Sequence, residues 1–182
     1  MTGSAGFREA MGRFASGVTV VTTLDGAGLP IGCTISAFSS LSLTPPLVLF
    51  CVGRDRYSHD DLTGSARFAV NVLAESQADL ALSFARFDPE RFQRNSWRPG
   101  EHGIPLFTGC IASVECDTVR VLDGGDHSIV LGEVTEVHLA EGEPLIYSRG
   151  AFGGFLGPSA PGFVSEPAVA ESPPEWLLSA PW

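Results

Sequence analysis

The sequence predicts a mainly β protein, a closed or partly closed antiparallel barrel carrying a few peripheral helices. Two observations predict it. Short β-branched or apolar runs recur along the chain and outnumber the helical patterns. They are separated at short spacing by Gly, Asp and Pro turns, as antiparallel strands joined by hairpins require. With 182 residues, 44% hydrophobic and only 18% charged, the chain is long enough to bury one sizeable core and has the composition of an ordered globular protein.

In chain order, residues 7–15 place Phe7, Met11 and Phe14 at helical spacing, which predicts a short amphipathic opening helix. Gly17 ends it, and residues 18–23 (VTVVTT) read as a β-branched strand. Asp25-Gly26-Ala27-Gly28 is a turn. Residues 31–51 (IGCTISAFSSLSLTPPLVLFC) are the stretch around which the rest is organised. The first half carries Thr34, Ser36, Ser39, Ser40 and Ser42, and is expected to form a loop beside the sheet. The second half, residues 47–51, has no polar side chain and reads as a strand buried on both faces. Pro45-Pro46 marks the break, because proline donates no ladder hydrogen bond.

Beyond Cys51 a polar loop, VGRDRYSHDDL, leads into a short helix over residues 59–65. Residues 68–73 (FAVNVL) read as a buried strand, and residues 76–87 as a helix whose Leu80 and Phe84 face a core. Residues 88–97 are charged and irregular, expected as a surface helix and loop. Residues 110–122 alternate: Cys110, Ala112, Val114 and Cys116 share one face, and Ser113, Glu115 and Asp117 the other, as in a half-buried strand. Asp123-Gly124-Gly125-Asp126 turns the chain into a partner strand over residues 127–139. A last short strand is expected at residues 145–148. From residue 157 the composition shifts to Pro, Ser and Ala, so residues 1–156 read as one domain and 157–182 as an extended tail. Its Trp176, Leu177, Leu178 and Trp182 could latch onto a surface.

The net charge of −10 argues against nucleic acid or an anionic membrane as the main partner. No apolar run has signal-peptide or membrane-span length. Cys33, Cys51, Cys110 and Cys116 form no C-x-x-C pair and read as reduced core thiols, which points to the cytoplasm. The four histidines lack ligand spacing, so no metal is expected.

Three places carry possible chemistry. Backbone amides and hydroxyls around Thr34, Ser36 and Ser40 suit the polar rim of a flat ligand, although a plain Ser-rich hairpin has the same pattern. Arg54, Arg56 and Ser58, alternating directly after the buried strand, could converge on a phosphate, or form a solvated loop with an Asp–Arg pair. His127, beside Asp126 at the mouth of a hairpin, can hydrogen-bond a carboxamide or move a proton near neutral pH, and a turn histidine bonded to backbone looks the same. Tyr147, Arg149 and the glycines beyond them form a further possible wall. Asn71, inside an apolar strand, must be hydrogen-bonded and reads as a tie between strands. No Rossmann glycine fingerprint, P-loop or nucleophile elbow is present.

The succession FREAMGRFASGVTVVTT, GCTISAFSSLSLTPPLVLFCV, RFAVNVL, GGDHSIVLGEV and PLIYSRGAFGGF resembles the short-chain flavin reductases over roughly residues 7–155. These are the small partners of two-component flavin-dependent monooxygenases. The resemblance implies the FMN-binding split-barrel fold, and homodimers with FMN or FAD near the subunit interface. Gly32, Cys33, Thr34, Ile35, Ser36, Ala37 and Phe38 match the segment lining the isoalloxazine. Cys51, Val52, Gly53, Arg54, Arg56 and Ser58 match the segment holding the ribityl phosphate. Arg86 and Phe87 match a segment at the flavin's far end. Asp126 and His127 match the turn beside the nicotinamide, near Tyr147, Arg149, Gly150 and Phe152. Two departures stand out: Arg56 replaces a common Ser, and Ala37 a common second Ser.

The implied reaction is hydride transfer from NADH to flavin, with His127 positioning the nicotinamide and reduced flavin passing to a separate monooxygenase. No arginine pair marks a site for the 2′-phosphate of NADPH. Two alternatives remain: a non-catalytic flavin- or small-ligand-binding barrel, and a split-barrel oxidase of the pyridoxamine-phosphate type. The oxidase needs more cations around a substrate phosphate than the sequence provides.

Overall fold

In the computed structural model, which describes residues 3–155, twelve strands and four helices succeed one another along the chain. Helix α1 (Ser4–Gly12) leads through β1 (Ser16–Gly17) to β2 (Thr19–Leu24), β3 (Pro30–Ile35), β4 (Phe38–Leu43) and β5 (Pro46–Gly53). Then come α2 (His59–Gly64), β6 (Arg67–Val72), a 3-10 turn (Glu75–Gln77), α3 (Ala78–Ala85) and α4 (Arg91–Arg94). The chain closes with β7 (Trp97–Pro99), β8 (Pro105–Phe107), β9 (Ala112–Gly124), β10 (His127–Leu139), β11 (Ile146–Ser148) and β12 (Ala151–Gly153). The tail at residues 157–182, with Trp176, Leu177, Leu178 and Trp182, lies outside the described residues.

Seven strands form one antiparallel sheet in the order β3-β2-β6-β9-β10-β5-β4. Its two edge strands, β3 and β4, are consecutive in sequence and joined by a bend at Ser36 and Ala37. The sheet therefore curls back toward itself and stays split along that seam, where the Cys51 amide extends the β4–β5 ladder into the bend by donating to the Ala37 carbonyl at 2.9 Å. This is the mainly β, split antiparallel barrel expected from the sequence.

Strand β2 explains the arrangement. Its TVVTTL run is buried on both faces, so every threonine hydroxyl needs a partner inside the protein. Thr19 Oγ1 donates to the Ile35 carbonyl at 2.7 Å and Thr22 Oγ1 to the Pro105 carbonyl at 2.7 Å. The barrel interior packs Val21, Val70 and Val130 around Phe50 and Phe68, whose rings meet edge to face at 5.0 Å. Each such buried ring stabilises the fold by about 1.5–3 kcal/mol. Gly132 makes room for Phe68: a Cβ there would stand 2.6 Å from Phe68 Cε1. A second core, with Val20, Leu80, Phe84 and Phe107, fills the space beneath α3 on the outside of β2.

Asn71 is the tie between strands that its sequence position predicts. Its Nδ2 donates to the Val20 carbonyl at 3.1 Å, while Oδ1 accepts from the Phe107 amide and from Ser113 Oγ, each at 3.0 Å. One buried side chain thus joins β2, β8 and β9.

Four expectations are corrected. The hydroxyl-rich residues after Ile31 are mostly strand, not loop, because Thr34 pairs with Val20 and Ser39 with Leu49 in the ladder. The opening helix ends at Gly12, which leaves Phe14 beyond it, and its Phe7 and Met11 are exposed instead of packed. The charged segment over residues 88–97 is partly core: Arg91 is only 4% exposed, and Phe92 and Trp97 pack against the second cluster. Finally, the supposedly outward face of β9 is covered at Ser113 and Glu115, while Asp117 stays exposed. Glu115 is 2% exposed, accepting from the Glu101 amide and paired with His138 Nε2, both at 3.0 Å.

Candidate active site at the barrel seam

The seam opens onto three connected clefts that meet at Ser36. An inner cleft of about 130 Å³ is lined by Cys33, Thr34, Ile35, Ser36 and Ala37 on one side, by Cys51, Val52 and Gly53 of β5 on the other, and by Arg56 and His127. A larger, mainly apolar cleft of about 530 Å³ carries Met11, Phe14, Phe38, Leu49, Cys51 and Tyr147. A third, of about 290 Å³, brings in Leu82, Ala85, Gly150 and Phe152.

Gly53 decides where the inner cleft ends. It lies opposite His127 in the β5–β10 ladder, and a Cβ on it would stand 2.7 Å from Asp55 Oδ1 and 3.6 Å from His127 Nε2. Glycine is therefore needed where Asp55, Arg56 and His127 crowd the end of β5 beside the cleft. The loop beyond Gly53 is stitched to the β9–β10 turn. The Arg54 amide donates to the Asp126 carbonyl at 3.0 Å, Arg54 Nε to the Gly125 carbonyl at 3.0 Å, and Arg54 Nη2 to Asp123 Oδ1 at 2.7 Å. Gly125 takes the left-handed φ of 78° that this turn requires. Arg54, Arg56, Asp126 and His127 thereby share one rim.

On that rim His127 Nδ1 and Asp126 Oδ1 are 2.7 Å apart. The carboxylate holds the ring by Nδ1–H and leaves Nε2 turned to the cleft. His127's hydrogen bond and charge in turn keep the Asp126 carboxyl below the usual carboxylate range, and Arg54 does the same for Asp123. The floor is chemically quiet. Burial pushes the thiols of Cys33 and Cys51 up, so both stay protonated near neutral pH. Thr34 Oγ1 is committed to the Ala81 carbonyl at 2.6 Å, which leaves Ser36 as the hydroxyl presented at the bend.

Behind the rim lies a layer that the sequence did not reveal. Tyr57 donates its hydroxyl to the Gly32 carbonyl, and burial pushes the phenol up to about 12, so it remains a neutral donor. The Arg91 guanidinium sits over the Tyr57 ring at 4.5 Å. Ser58 Oγ is sealed from solvent and makes no hydrogen bond among the described residues.

Of the residues singled out in the sequence, Cys33 to Phe38, Cys51, Val52, Gly53, Arg54, Arg56, Asp126, His127, Tyr147, Gly150 and Phe152 line these clefts and their rim. Arg149, in a left-handed conformation with φ 51°, lines an adjoining one. Gly32, Ser40, Ser58, Arg86 and Phe87 do not line them: Gly32 packs under the Phe84 ring and Phe87 lies against Tyr57. Met11, Phe14 and Leu49 line the site without being expected to. The signal for Met11 and Phe14 was their helical spacing, which reads equally as packing.

The model of the flavin reductase like domain matches residues 11–155. The chain belongs to that family. The flavin reductase-like chain is 40% identical over 151 residues to the reductase subunit HsaB of a flavin-dependent monooxygenase from Mycobacterium tuberculosis, covering 81% of this chain and 80% of that one. It is 40% identical over 152 residues to the FMN reductase (NADH) SmoA of Agrobacterium fabrum, covering 84% and 86%. The solved NADH:FAD oxidoreductase of Streptomyces globisporus, in complex with NAD and FAD fragments, superposes with a TM-score of 0.81 at 40% identity, covering 88% and 96%. The chain spans about half the length of some curated relatives it matches, 47% of one that is 43% identical.

Proposed function

We propose that this protein is an NADH-dependent flavin reductase (NAD(P)H:flavin oxidoreductase, EC 1.5.1.-) that supplies reduced FMN or FAD to a separate monooxygenase. The supporting observation is the seam itself: apolar side chains and the Ser36 hydroxyl on its walls, with Arg54, Arg56 and His127 at one end. An isoalloxazine has apolar faces, a polar rim and a phosphorylated tail, and these residue types fit all three.

When both cofactors are bound, they supply the redox chemistry, hydride passing from dihydronicotinamide to flavin. The chain's residues bind and orient. Phe14, Phe38, Leu49 and Tyr147 exclude water from the seam, Ser36 offers a hydroxyl to the ring's edge, and Arg54 and Arg56 hold the phosphate. His127, oriented by Asp126, directs Nε2 at the nicotinamide carboxamide or ribose. The exposed apolar residues Phe7, Met11, Phe14, Leu41 and Leu43 support a homodimer in which a second copy covers the seam; light scattering tests it. The four cysteines are free, which suits the cytoplasm. No helix among the described residues is long and apolar enough to cross a membrane.

Mixing the protein with NADH and free FMN or FAD, and monitoring the nicotinamide absorbance, tests the reading. Rapid oxidation is expected; a protein that binds flavin yet ignores NADH would instead be the non-catalytic binder. His127→Ala should raise the NADH KM or lower kcat by about tenfold. Unchanged kinetics would remove His127 from the site.

A further inference from the structure

We propose that Arg8 completes, with Arg54 and Arg56, a row of cations that reads a diphosphate and so favours FAD over FMN. The inference rests on the flavin reductase reading. Every one of the chain's 11 basic residues is arginine, and the net charge is −10, so a local gathering of cations is conspicuous. A cleft of about 530 Å³ outside Gly53 is lined by Arg8, Arg54, Asp55, Arg56, Asp126 and His127. Arg8 also lines the adjoining cleft, of about 530 Å³, together with Arg13, Arg149 and Tyr147. Five of the 11 arginines thus border two clefts that meet at Arg8.

Asp55, Asp123 and Asp126 stand among these cations, each beside a partner of its own, and Glu9 in the adjoining cleft pairs with Arg13 at 2.8 Å. Asp126 lies 2.7 Å from His127 Nδ1, and Asp55 lies 3.9 Å from Arg56 Nε. Arg54 is held by Asp123 and by the Gly125 carbonyl. Arg8, on the wall formed by α1, makes no ion pair or side-chain hydrogen bond among the described residues.

The chemistry separates the two flavins. FMN ends in one phosphate monoester, whose charge one pair of arginines can neutralise. FAD spreads a similar charge over two phosphorus atoms joined by a bridging oxygen and continues into adenosine. Arg8, on α1 and lining the same cleft as the Arg54–Arg56 loop, gives a second phosphate a cation of its own, which the monoester does not need. Arg54 and Arg56 then meet the first phosphate and Arg8 the second, and the cleft toward Arg13 and Tyr147 takes the adenosine.

Titrating wild type, Arg8→Ala, Arg8→Lys and Arg54→Ala separately with FAD and FMN, read by flavin fluorescence without nicotinamide, tests the assignment. Wild type should bind FAD more tightly. Arg8→Ala should lower the FAD-over-FMN affinity ratio about fivefold or more, Arg8→Lys should retain most of it, and Arg54→Ala should weaken both flavins by similar factors. The assignment is overturned if Arg8→Ala leaves the ratio where it was; a parallel steady-state assay in which only the NADH KM changes would give the cleft to the nicotinamide dinucleotide and overturn it too. Wild type that binds both flavins equally also overturns it, with the reductase reading intact. Wild type that binds neither flavin overturns both.

Discussion

Tyr57 separates two arginine environments. On the cleft side, Arg54 and Arg56 are about half exposed, next to Asp123 and Asp55. On the other side, Arg91 is 4% exposed and forms no ion pair among the described residues. Its charge faces the rings of Tyr57, Phe87, Phe84 and Phe92 at 4.5, 5.5, 5.6 and 5.6 Å, and Nη1 donates to the Asp88 carbonyl at 2.7 Å. A guanidinium tolerates this because it is weakly hydrated and its flat face matches aromatic faces. Arg54 and Arg56 keep about half of each side chain in water and can turn that part to a ligand's oxygens. Arg91 has given up its water, with Nε left without a hydrogen-bond partner among the described residues, so it supports the wall and leaves ligand binding to the others.

Arg91→Ala gives the largest expected effect, a loss of about 3 kcal/mol of stability in urea unfolding, since cation–π contacts and packing go together. If Arg54→Ala destabilised as much, the contrast would collapse. Asn71→Ala should cost about 2 kcal/mol, because the Phe107 amide and Ser113 hydroxyl lose their buried acceptor. Arg54→Ala should leave the unfolding midpoint nearly in place while weakening flavin about tenfold, which titration with FMN would show.

The smallest effect concerns pH. The carboxyls of Asp123 and Asp126 are depressed in the fold, by Arg54 and His127 respectively. Their folded pKa lies below the unfolded one, so the stabilisation is present at neutral pH and fades as pH falls through the depressed values. The difference in unfolding midpoint between wild type and Asp123→Asn should therefore shrink as the solution is acidified below the carboxylate range. A difference that grew toward acid would reverse the sign.

Much of the frame was legible. VTVVTT announced β2, and Asp123-Gly124-Gly125-Asp126 announced the turn that delivers His127 to the first position of β10. Strands β7 and β8, three residues each, left no periodic signal, because pairing with each other and packing under Asn71 define them. Arg91 was hidden for a related reason: in a run of charges, nothing local says which one the aromatic rings will enclose. Glu115 alternates as an exposed residue should, and it is the loop at Gly100 and Glu101, together with His138, that covers it.

The sequence by itself determined the strand-forming runs, the turns, the order of motifs and the residue types offered to a ligand, since β propensity and turn chemistry act over a few residues. Tertiary structure alone decided that Met11, Cys33, Cys51, His127 and Tyr147 border connected clefts, and that Arg8 shares a cleft with Arg54. The reason is the curl of the seven-stranded sheet. It brings together segments far apart in the chain, and how far it closes depends on packing summed over the whole barrel, which no short window of residues contains.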